Sequence, residues 1–97
     1  MSIVRIGEVQ AKEGMTEDLR DFLISIMSII KSSEGCESVQ FYQSHDDVTK
    51  FIMIEVWDSI KSHQASVKNI PSEKLNEIRP LLAASPSGSY YSLIDER

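Results

Sequence analysis

The stretch FIMIEVW, residues 51–57, contains no residue that would break a strand and is dominated by β-branched and aromatic side chains. Side chains in a strand alternate between faces, so Phe51, Met53, Glu55 and Trp57 share one face and Ile52, Ile54 and Val56 the other. Both faces are apolar, which requires cover on two sides. Glu55 places a lone carboxylate between a methionine and a tryptophan.

Working outward, CESVQFYQS (36–44) forms a second run of strand character, and the polar HDDVT joins it to residues 51–57. Consecutive strands with so short a connection pair as an antiparallel hairpin. Upstream, SIVRIGEVQ (2–10) reads as a first strand, broken by AKEG. Thr16 then fits a helix N-cap, followed by Glu17 and Asp18 near the positive helix end. Leu19, Phe22, Leu23, Ile26, Met27 and Ile30 make one apolar stripe at helical spacing, and the helix ends in KSSEG. Downstream, Ile60, His63, Val67 and Ile70 define the inner face of a second helix. Pro71 interrupts it or starts another, whose inner face carries Leu75, Ile78 and Leu82. After Pro80 and ASPSG, SYYSLID (89–95) supplies a last strand.

The order β-α-β-β-α-β predicts the ferredoxin-like α+β arrangement, an antiparallel sheet with both helices on one face. At 97 residues the chain reads as one domain, residues 1–97. Its other sheet face, with Ile52, Ile54 and Val56 joined by Tyr90 and Ile94 of the last strand, then needs cover from elsewhere. A homodimer is the expectation, because a soluble monomer tolerates exposed apolar patches of only a few hundred Å².

The net charge of −5 and the scattered basic residues argue against nucleic acid or an anionic membrane as partner. No apolar run approaches the roughly 20 residues of a membrane span. MSIVRIGEV has no charged leader followed by a long apolar run, so a cytoplasmic protein is expected. Cys36 is the sole cysteine and is expected to behave as a small buried apolar residue rather than a reactive thiol.

The segment FIMIEVWDSIKSHQASV resembles the F-x3-E-x-W-x-S signature of the antibiotic biosynthesis monooxygenase domain, within the dimeric α+β barrel superfamily. Phe51, Glu55, Trp57 and Ser59 stand on the motif's positions, and His63 falls in the following histidine-containing stretch. Gly14 and the EGC before the second strand are also similar to the family. The resemblance implies a homodimer with a small-molecule pocket between sheet and helices of each subunit. Trp57, Met53 and Phe51, with Phe22 of the helix and Tyr91 of the last strand, would bind the substrate there. Members of the family oxidise phenols or quinols without metal or flavin, degrade haem, or process small signalling molecules. The haem-degrading branch needs a histidine beyond His63, and none follows. The asparagine that some oxygenases of the family carry four positions before the tryptophan is replaced by Met53.

Oxygenation without a cofactor requires a substrate that can itself give an electron to dioxygen, as a phenolate or enolate can. The protein must supply a base and a dry cavity. Glu55, its pKa raised by apolar surroundings, is one candidate base. The other reading makes it a structural anchor held by an amide, a tyrosine or an arginine such as Arg5 or Arg79. As half of a buried charged pair, its change to Gln would cost about 3 to 5 kcal/mol. His63 can carry a proton near neutral pH, or be a satisfied core histidine. Trp57 can wall an aromatic ligand or fill the core. His45 lies in a polar turn, and its distance from His63 gives no metal-ligand spacing. Without that spacing or a phosphate-cradling glycine loop, no metal or other cofactor is expected. Two functions follow. The first is a cofactor-independent monooxygenase, or related proton-transfer enzyme, acting on a small cyclic or quinol-like compound. The second is a non-catalytic dimer of the same fold that binds a small ligand or serves in assembly.

Overall fold

The computed structural model describes residues 2–95. Strand β1 (Ile3–Gln10) leads to helix α1 (Thr16–Lys31), then to the hairpin of β2 (Cys36–Gln43) and β3 (Lys50–Trp57). Two short helices follow, α2 (Ile60–Val67) and α3 (Ser72–Ile78), then a 3-10 turn at Arg79–Leu81 and the edge strand β4 (Ser87–Tyr91). The sheet order is β2-β3-β1-β4 with every neighbouring pair antiparallel. This is the ferredoxin-like arrangement expected from the element order, an α+β fold with its second helical segment split at Pro71.

The two faces of β3 separate as their spacing dictates. Phe51, Glu55 and Trp57 are buried on the side that carries α1, with Leu19, Phe22, Leu23, Ile26 and Ile30 above them. Met27, on the same predicted stripe, is half-buried. Ile52, Ile54 and Val56 lie on the opposite face with Val4 and Ile6 of β1, all half-buried. No helix among the described residues is long and apolar enough to cross a membrane.

Five details differ from the sequence expectation. Thr16 is the first residue of α1 rather than its cap; Met15 holds the cap position and no side chain caps the helix. The inner face of α2 is not the Ile60 and Val67 stripe: both are exposed, at 41% and 46%, while Ser66 is buried and His63 half-buried. Only two turns long, α2 turns inward the side that carries His63 and Ser66, and the His63 ring packs on Trp57 and Tyr90. Leu75 of α3 is likewise exposed. The last strand stops at Tyr91, so Ile94 lies beyond the ladder and is 98% exposed. Register then decides the tyrosines. Tyr90 pairs with Arg5 and faces the helices, whereas Tyr91 pairs with Val4 and takes the place on the open face expected for Tyr90.

The start of α2 is locked to the end of α1 by Gly35. Its φ of +87° belongs to the left-handed region, and a Cβ there would lie 2.6 Å from both Asp58 Oδ1 and Ser62 Oγ. The Asp58 amide donates to the Gly35 carbonyl at 2.8 Å, and Ser59 Oγ caps α2 by accepting from the Ser62 amide at 3.1 Å. Gly35→Ala should therefore destabilise the protein by about 1–3 kcal/mol through strain at a non-glycine left-handed residue. Urea unfolding followed by circular dichroism measures it. A stability equal to that of the parent would show that the tight approach is not required.

Candidate functional site

One row of side chains crosses the helix-facing side of the sheet in the order Val39, Glu55, Arg5, Tyr90, fixed by the register of four strands. A β-bulge between Cys36 and Ser38 keeps β2 in phase, leaving Cys36 opposite Trp57 and Val39 opposite Glu55. The next position along β3 is Trp57, fully buried, with His63 reaching it from α2.

Glu55 is 7% exposed, and its Oε1 accepts a hydrogen bond from Trp57 Nε1 at 3.0 Å. Desolvation pushes its pKa above the ordinary carboxylate value; the Trp57 bond and the nearby Arg5 charge oppose this without cancelling it. Of the two arginines considered as partners, Arg5 stands directly across the ladder and Arg79 is exposed in the 3-10 turn. Among the described residues neither forms an ion pair with Glu55; the one ion pair joins Lys74 and Glu77. Glu55 is thus anchored by a neutral indole rather than by a bound cation.

His63 packs its ring edge-on against Trp57, with centroids 5.4 Å apart, and edge-on against Tyr90 at 5.3 Å. Its Nδ1 lies 2.6 Å from the Tyr90 hydroxyl oxygen. Burial, and then the positive charge of Arg5, lower its pKa below the usual histidine value, so the ring is neutral at pH 7. The Arg5 guanidinium lies 5.1 Å from the centroid of the Tyr90 ring. Glu55, Trp57, His63, Tyr90 and Arg5 form one connected group at the junction of β1, β3, β4 and α2. A buried carboxylate with a raised pKa and a neutral imidazole, both in contact with one indole, are suited to moving a proton.

The remaining residues considered from sequence fall elsewhere. Met53 is on the same face one row away, opposite Gly7. Phe22 and Phe51 belong to the core under α1. Tyr91, on the opposite face, is not part of the group; Tyr90 takes its place. Two adjacent tyrosines in one strand hid this, because only the register says which faces the helices. Cys36 is half-buried, and burial together with the Glu55 charge raises its pKa, which fits an unreactive thiol. A cavity of about 580 Å³ lies at the far end of the sheet, lined by Gln10, Tyr42, Lys50, Ile52 and Ser85 among others, and touches neither Glu55 nor His63. A smaller one, about 160 Å³, sits between α1 and the hairpin at Leu23, Met27 and Phe41. Among the described residues no three His, Cys, Asp or Glu side chains converge as a metal site would require.

The fold and this group of residues define a small ferredoxin-like α+β protein with a polar cluster under its second helical segment. The family model for antibiotic biosynthesis monooxygenase matches residues 2–77, and the chain belongs to that family. Solved structures share its fold at low sequence identity. The protein Rv0793 of Mycobacterium tuberculosis superposes with a TM-score of 0.84 at 17% identity, covering 99% of this chain and 98% of that one. A Nitrosomonas europaea protein of unknown function gives 0.84 at 18% identity, over 99% and 92% of the two chains. A mutant of SnoaB from Streptomyces nogalater, described as a cofactor-independent oxygenase, gives 0.82 at 9% identity, over 98% and 95%. Among curated protein sequences, none matches the chain significantly.

The raised pKa of Glu55 has a definite sign for stability. Folding favours its protonated form, so its favourable contribution is complete below the ordinary carboxylate pKa and is lost as pH rises through the higher folded value. Glu55→Gln keeps an oxygen for the Trp57 N–H and removes the ionisation. It should leave stability at pH 7 equal or greater, unlike the loss expected had Glu55 been half of an ion pair. Glu55→Leu strands the indole N–H and should cost about 1–3 kcal/mol. Urea titration followed by the single tryptophan, Trp57, compares the two. A large loss in Glu55→Gln would contradict the neutral anchor.

Proposed function

We infer that the protein is a cofactor-independent monooxygenase, or a closely related proton-transfer enzyme, acting on a small cyclic or quinol-like compound. The observation that carries this reading is the 2.6 Å contact between His63 Nδ1 and the Tyr90 hydroxyl beside the Glu55–Trp57 pair. With Nδ1–H donating to Tyr90, the Nε2 lone pair of His63 is left to accept a proton. His63 removes the proton from a phenol or an acidic C–H of the substrate. The resulting anion gives one electron to dioxygen, the two radicals recombine to a peroxide anion, and the proton held by His63 returns to make it a hydroperoxide. Loss of water then leaves one oxygen atom in the product as a carbonyl and the other in the water. The substrate supplies the electrons, so this reading assigns no metal or flavin. Membership of the family and the likeness to SnoaB, a cofactor-independent oxygenase, support it.

In this reading residues 1–97 are one domain that works as a homodimer, its partner covering Val4, Ile6, Ile52, Ile54 and Val56. A second reading, a non-catalytic dimer that holds a small ligand, is favoured by the position of the 580 Å³ cavity away from Glu55 and His63.

An oxygen electrode with anthrol- or hydroquinone-type substrates tests the enzyme reading. Oxygen uptake should persist in chelator and need no added flavin, and His63→Gln should lower it by about 10² or more. Because the His63 pKa is lowered and its neutral form is the base, kcat/KM should rise with pH through a midpoint below about 6.5 and then level off. Full activity in His63→Gln, or activity that appears only with added iron or flavin, would overturn the mechanism. Light scattering at micromolar concentration should give twice the 11.0 kDa chain mass; a monomer there would remove the dimer.

A further inference from the structure

The helix-facing side of β1 and β4 has a bare floor. Gly7 pairs with Gly88 across the two strands, so two neighbouring positions in that face have no side chain. Met53 covers Gly7, and the side chain of Arg5 lies over Gly88: a Cβ there would collide with its guanidinium, and only glycine leaves that space. Arg5 is half-buried and central in the row, between Glu55 and Tyr90. Among the described residues its guanidinium makes no ion pair and no hydrogen bond; its contact is with the face of Tyr90. Five N–H donors in a rigid fork are thus held in place without a protein acceptor. Neither ionisable neighbour pairs with it: Glu55 accepts from the Trp57 N–H instead, and His63 is uncharged at pH 7.

We propose that Arg5 is the ligand-recognition residue of this site and that it takes the carboxylate of a small planar aromatic anion. A planar fork suits two oxygens of one planar group, and the half-buried Tyr90 and His63 rings offer aromatic neighbours to the rest of the ligand. The protein's net charge of −5 repels anions in general, so anion preference requires a local cation, which Arg5 provides. The inference rests on reading the group around His63 as the ligand site. It adds that substrate or product is anionic.

Benzoate and benzamide differ in charge at nearly equal shape, and titrating each into the full-length protein while following the Arg5 Nε–H and Trp57 Nε1–H resonances tests this. Benzoate should shift both resonances and bind about tenfold or more tightly than benzamide. Arg5→Met should abolish that preference. Gly88→Ala, which keeps the charge but displaces the guanidinium, should reduce it while circular dichroism shows the fold retained. Equal binding of the two probes, binding of neither, or a preference that survives in both variants overturns the proposal. Turnover is not read in this titration. A benzoate-selective protein that consumes no oxygen therefore leaves this inference standing and removes the oxygenase reading, and an active protein without anion preference does the reverse.

Discussion

The polar group under the second helical segment depends on the hydrogen bond from Trp57 Nε1 to Glu55 Oε1. A tryptophan with no exposed surface has to place its N–H somewhere, and a carboxylate two positions earlier on the same strand face is the shortest way to do so. That one bond explains why a charge-bearing residue stands in an otherwise apolar strand. It also holds the indole as the surface against which His63 packs, and through His63 and Tyr90 it connects β3 to the edge strand.

Electrostatics in this group follow from burial more than from pairing. Glu55 is raised and His63 lowered chiefly by desolvation, and the charge of Arg5 acts on both without an ion pair to either. Each of the two ionisable groups is therefore moved toward its neutral form by the same apolar surroundings. Such a pair stores no strong attraction that a substrate would have to break. It presents an imidazole that is unprotonated at neutral pH beside a cation with unused donors.

The sheet divides the molecule into two unequal environments. On one side α1 closes the core over β2 and β3, while α2 lies against β3 with His63 on Trp57. On the other side the aliphatic residues of β1 and β3 are half-buried and bordered by exposed Tyr42 and Tyr91. The need for cover on both faces of β3, evident from seven residues of sequence, follows from the alternation of side chains along a strand and from nothing else in the fold.

The sequence by itself determined the element order, the in-and-out pattern of residues 51–57, the stripe of α1 and the family, because each is a matter of local periodicity or of a motif within one segment. It also singled out Glu55, Trp57 and His63. Tertiary structure alone decided what these residues touch. Whether Tyr90 or Tyr91 faces the helices depends on the register of β4 against β1, a long-range pairing that adjacent identical residues conceal. The same pairing sets Gly88 beneath Arg5. The polar inner face of α2, with His63 and Ser66 inward and Ile60 and Val67 outward, runs against the hydrophobic pattern of the segment. It reflects what a two-turn helix meets on the sheet below it, which periodicity within the helix does not encode.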